Sequence, residues 1–167
     1  IKFHLPALTQ SEIELAVLSV QAFTINGANS AQAHVYGVAN SNWTQTNITW
    51  ATAPNIAQGA PAGASITNNY VQGVGSNATL IGQLVVGNAE AERLIDVTDY
   101  LRSQTNSDVT FLLAREVRFD GDTQDADGIE IVSTEGNLAK APRLKIVTLA
   151  HPQITSVSMV AGGFDGG

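Results

Sequence analysis

Apolar and polar residues alternate along several short segments, and a period of two is typical of a half-buried β-strand. Val109, Phe111 and Leu113 fall on one face of such a segment, and Ile129 and Ile131 share a face of another. Gly, Asn, Asp and Pro residues separate the segments, as expected for turns. The pattern predicts strands at Ile1–Leu5, Ile13–Phe23, Ala33–Val38, Thr46–Trp50, Ala78–Val86, Arg93–Val97, Val109–Arg115, Gly128–Ser133 and Arg143–Leu149. Many short strands with regular turns favour an all-β sandwich or barrel.

One segment, Val97–Ser103, has a helical rather than a strand pattern. Asp96 or Thr98 is suited to cap the start of a helical turn, because short oxygen-bearing side chains accept hydrogen bonds from its free N–H groups. Tyr100 and Leu101 are then expected to pack inward.

The last residues differ in character from the rest. Pro152 cannot continue a central strand, so we expect a sandwich domain over residues 1–149 and a linker or donated-strand tail over residues 150–167. Within the tail, Ile154–Val160 is strand-like, and a lone strand is not stable in water. It must pair with this domain, with a following domain or with another copy of the chain. The assembly contacts are predicted at Ile154, Val157 and Met159.

Composition and charge exclude several function classes. A chain of 167 residues with 44% hydrophobic and 14% charged residues is suited to one folded domain. The formal net charge of −7 argues against nucleic acid and anionic membranes, which attract cationic surfaces. Without Cys there is no disulfide framework and no thiol catalysis. No run of about 18 apolar residues predicts a membrane span.

A series of segments, in this order and spacing, resembles a known family. The segments are Ile1–Pro6, Val35–Val38, Asn42–Thr44, Ile48–Trp50, Ala53-Pro54, Asp96–Thr98, Tyr100-Leu101, Val109–Arg115, Ile129–Glu135 and Ala141–Leu144. They resemble the DNRLRE domain family, also grouped with the disaggregatase-related repeats, in which some members are alginate-binding carbohydrate modules. The resemblance covers roughly residues 1–148. It implies an antiparallel jelly-roll β-sandwich in a secreted, multidomain protein, and hence an extracellular or cell-surface location.

The resemblance also implies a sugar site. The family's sugar binding is attributed to a groove on one sandwich face that carries cationic residues. Guanidinium groups suit the carboxylate of a uronate through bidentate hydrogen bonds. We therefore expect carbohydrate binding at Lys2, Tyr36, Arg115 and Arg143, with ordinary surface ion pairing as the alternative. The partner is then a polysaccharide, with a uronate as one candidate.

The chain departs from the family at two places. The family usually has an Arg between the Ser and the Glu of the segment matching Ser133–Glu135, and this chain has Thr134. Family members also begin with an opening strand ahead of the segment matching Ile1–Leu5. A sandwich without that strand has an unpaired edge or an open groove, which a strand from elsewhere can complete.

An aspartate-rich segment, Asp120–Gly128, is the sharpest polar signal in the chain. Carboxylates this close repel one another unless a cation or solvent screens them. The segment does not follow the EF-hand pattern, which requires Gly and Glu where Asp125 and Ile131 stand. A Ca²⁺ loop of another kind and a solvated hairpin loop both remain open. The Ca²⁺ ligands would be Asp120, Asp122, Asp125 and Asp127.

Three Asn-x-Thr sequons, at Asn42, Asn47 and Asn77, are candidate glycosylation sites. An Asn- and Thr-rich chain also produces such triplets by chance.

No catalytic site is predicted. The chain has no Gly-x-Ser-x-Gly elbow, and no pair of carboxylates is brought together by its spacing. His4, His34 and His151 lack the spacing of metal ligands. The sequence therefore predicts a non-catalytic extracellular module, carbohydrate-binding or adhesive. The alternative is a structural subunit of an extracellular filament or sheath, assembled from copies of the chain by strand exchange.

Overall fold

The computed structural model describes residues 1–7, 9–25, 29–49, 52–56, 71, 74–115 and 128–149. Its architecture is a β-sandwich of two antiparallel four-stranded sheets, which confirms the predicted fold class. The strands are β1 (Lys2–His4), β2 (Ile13–Thr24), β3 (Ser30–Val38), β4 (Ala78–Gly87), β5 (Ala91–Asp96), β6 (Asp108–Arg115), β7 (Ile129–Ile131) and β8 (Arg143–Thr148). One short helix, α1 (Thr98–Ser103), joins β5 to β6.

The two sheets are built from strands that are distant in sequence. Sheet A has the order β1-β6-β3-β4. In sheet B the long strand β2 pairs with β5 along one edge, and with β8 and then β7 along the other. Among the described strands, consecutive ones lie in different sheets except for β3 with β4 and β7 with β8.

The main core lies between the sheets. Burial alternates along β2, where Ala16, Leu18 and Val20 point inward, as the period of two predicts. Phe111 of β6 meets Tyr100 of α1 edge to face, with ring centroids 5.5 Å apart. Such aromatic pairs contribute roughly 1 kcal/mol beyond their burial.

Helix α1 closes one end of the core. The N-cap residue is Val97, which makes no side-chain cap hydrogen bond, so neither Asp96 nor Thr98 stands at the cap position as predicted. The Asp96 carboxylate nevertheless accepts a hydrogen bond from the Thr98 N–H at 2.8 Å, which satisfies one free N–H group of the first turn. Tyr100 and Leu101 are both buried, as predicted. The Tyr100 ring lies so close to Gly37 that a Cβ atom there would overlap it, so β3 requires glycine at this point.

A second apolar cluster lies on the outer face of sheet A. Four consecutive residues of β3, Val35 to Val38, are buried. Tyr36 and Val38 pack with Val71 and Ala78 on the side away from sheet B, against the partly buried Ile56, Leu112 and Ala114. Part of the outer face of sheet A is therefore covered as well, and the segment between β3 and β4 supplies some of that cover.

The strand predicted at Thr46–Trp50 is wrong over residues 46–49, which form a turn and irregular backbone. The Asn47 side chain accepts from the Thr44 N–H at 2.7 Å, and the Thr52 hydroxyl accepts from the Thr49 N–H at 2.8 Å. Short polar side chains that bond to the nearby backbone in this way compete with strand pairing.

The β6 edge is only partly paired. Strand β1 pairs with Asp108–Thr110, and the Phe111 N–H donates to the Ile1 carbonyl at 2.7 Å. Strand β6 continues to Arg115 with β3 on its other side. Within the described ranges no strand lies beside Leu113–Arg115 on the β1 side.

Two predicted features lie outside the described residues: the aspartate-rich loop and the tail over residues 150–167. Among the described helices, none has the length and apolar character needed to cross a bilayer.

Candidate functional site

Lys2 and Trp43 meet on the outer face of sheet A. Lys2 lies on β1 opposite Thr110 of β6, and its Nζ donates to the carbonyls of Trp43 at 2.7 Å and Ser41 at 3.2 Å. The same Nζ lies 5.4 Å from the centroid of the Trp43 ring, within cation–π range. The residues after β3 are thus held over the β1–β6 pair.

The Thr110 hydroxyl fixes the orientation of the Trp43 ring. Thr110 is buried, and its Oγ1 accepts from Trp43 Nε1 at 3.0 Å. Ser41 Oγ lies 3.0 Å from the same oxygen. The indole N–H is therefore satisfied within the protein, and the half-buried ring is held in place.

Asp108 and His4 form the edge of this surface. His4 Nδ1 lies 2.7 Å from Asp108 Oδ1, and Lys2 Nζ lies 3.8 Å from Asp108 Oδ2. The hydrogen bond with His4, and next the positive charge of Lys2, hold the pKa of Asp108 below its usual value. The carboxylate is ionised at neutral pH and partly offsets the Lys2 charge. We call these six residues, Lys2, His4, Ser41, Trp43, Asp108 and Thr110, the Lys2–Trp43 site.

The structure does not bring the predicted sugar-binding residues together. Tyr36 is 2% exposed, so its ring packs in the outer apolar cluster and offers no face to a ligand. Arg143 lies on β8 in sheet B, away from Lys2 in sheet A, and its Nη2 donates to the Ala139 carbonyl at 2.6 Å. Arg115 pairs with Ala33 at the far end of β6 from Thr110, and its side chain is outside the described part.

The three sequon asparagines, Asn42, Asn47 and Asn77, are exposed. Asn42 and Asn47 lie in the segment after β3, and Asn77 directly precedes β4. A glycan at any of them would point into solvent, and their modification stays a prediction.

A cleft that the sequence did not reveal lies beside α1, where β4 of sheet A faces β2 of sheet B. Its volume is about 520 Å³. The lining residues are Glu14, Leu15, Thr79, Leu80, Ile81, Asp96, Val97, Thr98, Asp99, Tyr100 and Arg102. Asp96 and Asp99 are thus brought to one cleft, although their spacing alone gave no reason to pair them with Glu14. We call this feature the α1 cleft.

Arg102 is held rigidly in the α1 cleft. Its Nε donates to the Ile13 carbonyl at 2.9 Å and its Nη2 to the Glu14 carbonyl at 3.2 Å. Its Nη1 lies 3.5 Å from Asp99 Oδ1. Hydrogen bonds from the Thr98 side chain, and then from the Thr98 N–H, hold the pKa of Asp96 below its usual value.

One known protein family has a model that matches the first part of the chain. The family model for carbohydrate-binding module family 96 matches residues 1–72. Of the Lys2–Trp43 site, this range contains Lys2, His4, Ser41 and Trp43. No curated protein matches the chain. The match supports the predicted resemblance to carbohydrate-binding modules. It does not show that the chain is a DNRLRE domain. Over residues 1–72 the match is to a non-catalytic binding module, in agreement with the function that the sequence predicts.

Proposed function

We propose that this carbohydrate-binding module recognises a uronate-bearing polysaccharide at the Lys2–Trp43 site. The observation that carries the proposal is the Lys2 ammonium lying 5.4 Å from the centroid of the Trp43 ring. A sugar ring has apolar C–H faces that pack on an aromatic ring, and a uronate adds a carboxylate that pairs with an ammonium. Both groups are on the same outer surface of sheet A.

The site is pre-organised for such a ligand. Thr110 holds the indole N–H, and Lys2 is tied to two carbonyls of the same segment. Groups that are already fixed lose little conformational entropy on binding, so more of the contact energy appears as affinity. The Lys2 side chain keeps 28% of its surface exposed, so part of it is open to a ligand.

A uronate carboxylate would compete with Asp108 for Lys2. The Lys2–Asp108 separation of 3.8 Å is longer than the two carbonyl contacts of Lys2, so it is the contact that a ligand replaces most easily. The net charge of −7 repels a polyanion at long range, and this repulsion is screened by salt. We therefore expect weak binding that depends on Lys2.

The test compares two soluble ligands and two matched variants. A mannuronate tetrasaccharide and the neutral cellotetraose are titrated into the protein and into its Lys2→Met and Lys145→Met variants. Both substitutions remove an ammonium and keep an apolar stem, but Lys145 lies on sheet B. We expect Lys2→Met to weaken mannuronate binding about tenfold, as loss of one charged contact does. Lys145→Met should leave it unchanged.

Two results would contradict the proposal: equal mannuronate binding by the Lys2→Met variant and the parent protein, or loss of binding in Lys145→Met alone. Because Lys2 also bonds two carbonyls, the thermal unfolding of Lys2→Met is measured in parallel. A variant that unfolds is replaced by Lys2→Gln, which keeps a donor for these carbonyls without the charge.

A second candidate function is assembly of copies by strand exchange, and the partly unpaired β6 edge favours it. Leu113–Arg115 could take one added strand on the side where β1 ends. The predicted donor is the tail, with Ile154, Val157 and Met159 at the contact. Deleting residues 154–167 should then abolish polymers in size-exclusion chromatography and electron microscopy. Polymers that persist after the deletion would rule the tail out as donor.

Two further expectations accompany these proposals. The aspartate-rich loop would bind Ca²⁺ through Asp120, Asp122, Asp125 and Asp127, which calorimetry with CaCl₂ tests directly. An extracellular or cell-surface location follows from the resemblance, and cell fractionation tests it.

A further inference from the structure

Two β-bulges, one in each sheet, open into the α1 cleft. In β2, Ile13 pairs with Thr148 of β8 and Leu15 pairs with the adjacent Val147, so Glu14 is the extra residue of a bulge. In β4, Gly82 pairs with Val35 of β3 and Leu80 pairs with the adjacent Tyr36, so Ile81 is the extra residue of a second bulge. Both extra residues line the cleft. Bulges bend a strand and re-aim its side chains, and they are enriched next to functional sites.

The cleft combines three kinds of contact. Leu15 and Leu80 are among the lining residues and are 40% and 48% exposed, so both leave aliphatic surface open to solvent. The Asp99 carboxylate is fully exposed, and its partner Arg102 is fixed by two backbone carbonyls. Its volume of about 520 Å³ lies within the range of about 300–1,000 Å³ that small-molecule sites occupy.

From this arrangement we infer that the α1 cleft is a second ligand site, and that it takes a neutral sugar. Sugar hydroxyls donate to carboxylates and accept from a guanidinium, and sugar C–H faces pack on aliphatic side chains. The lining includes three acidic residues, Glu14, Asp96 and Asp99, and one basic residue, Arg102. We therefore expect the cleft to repel a uronate. The described carboxylates do not form a metal-ligating group, which argues against a cation as the ligand.

This site is independent of the Lys2–Trp43 site in position and in charge. It lies beside α1 and the β4 edge of sheet A, whereas the Lys2–Trp43 site lies on the β1–β6 pair at the other edge. The two sites therefore select different sugars, one by a cation and the other by carboxylates. Failure of uronate binding at Lys2 would leave the cleft proposal intact.

The experiment is a ¹⁵N NMR titration of the whole chain with cellotetraose, xylotetraose and mannotetraose, each to about 5 mM, several times the Kd of a weak millimolar site. We expect at least one of them to shift the amides of Leu80, Asp99 and Glu14. A mannuronate tetrasaccharide should leave these amides unshifted.

The variants are Asp99→Ala and Leu80→Ser, at side chains whose exposure makes loss of the fold unexpected. Each should weaken the neutral sugar about tenfold. Matched controls on exposed positions outside the cleft are Glu130→Ala on β7 and Val85→Ser on the same strand as Leu80. These should bind as the parent does.

Three outcomes would overturn the inference. The first is that none of the neutral tetrasaccharides shifts the cleft amides. The second is that Asp99→Ala and Leu80→Ser bind the neutral sugar as well as the controls. The third is that mannuronate shifts the cleft amides more than the neutral sugars do, which would contradict the charge argument.

Discussion

The two outer faces of the sandwich differ in what covers them. The outer face of sheet A carries a buried apolar cluster and the Lys2–Trp43 site, both built with residues of the segment between β3 and β4. On the outer face of sheet B, the described surface carries exposed charged residues and the exposed Leu94, with half-buried residues along β2. The same strand architecture thus gives a second core on one side and a solvated surface on the other.

The difference shows what a covering segment does to polar groups. Under it, the Thr110 hydroxyl must satisfy Trp43 Nε1, because a buried donor without an acceptor is costly. On sheet B the comparable Ser19–Glu92 hydrogen bond, 2.6 Å long, is exposed to water. Water can replace either partner there, so the bond contributes little to stability.

Replacing one aromatic residue on each outer face should give the largest contrast. Tyr36→Ala leaves a cavity in the buried cluster, and we expect it to lower the free energy of unfolding by about 3–4 kcal/mol. Phe23→Ala, on the half-buried row of sheet B, should cost about 1 kcal/mol. Urea denaturation measures both. Equal losses would show that the cover over sheet A adds no burial energy.

Alkaline pH should act on the core through Tyr100, which contacts β3 of sheet A. Burial raises the pKa of Tyr100 to about 12, and its hydroxyl donates to the Val38 carbonyl at 3.3 Å. The neutral phenol is favoured by folding, so its contribution is complete below pH of about 10 and is lost as the pH rises toward 12.

The expected loss is about 2 kcal/mol by pH of about 12, read from urea midpoints. Tyr100→Phe is the control, because it keeps the ring against Gly37 and removes the titrating group. If the variant loses stability over the same pH range as the parent protein, Tyr100 is not the responsible group.

Removing one hydroxyl on each face should give the smallest contrast. Thr110→Val leaves Trp43 Nε1 without its acceptor, and we expect a loss of about 1–2 kcal/mol together with a shift in Trp43 fluorescence. Ser19→Ala, at the exposed bond with Glu92, should change stability by less than about 0.5 kcal/mol. If the Thr110 variant is as stable as the Ser19 variant, the hydrogen bond between Trp43 Nε1 and Thr110 does not contribute to stability.

The local pattern was enough to predict the strands of sheet B. It was not enough to predict which sheet each cationic residue belongs to. The alternation in β2 gave its buried side directly, since one side faces the core and the other faces water. Lys2 and Arg143 alternate in the same way, yet they belong to different sheets. Sheet membership depends on pairing between distant strands, which a period of two does not encode.

The α1 cleft could not be predicted for a related reason. Each bulge arises from a mismatch between two strands, so neither Glu14 nor Ile81 carries a signal in its own segment. The burial of Tyr36 could not be predicted from the local pattern either. Its burial depends on Val71, 35 positions later, and on the other residues that cover the outer face of sheet A.

The length of β2 has a consequence for the order of folding. Every other described strand of sheet B pairs with β2, and Arg143 joins it opposite Ser19, more than a hundred residues away along the chain. Closing so long a loop costs entropy before any contact repays it. During synthesis on the ribosome, β2 emerges before β7 and β8, so we expect one of its edges to stay unpaired until they follow, and completion of this sheet to be slow.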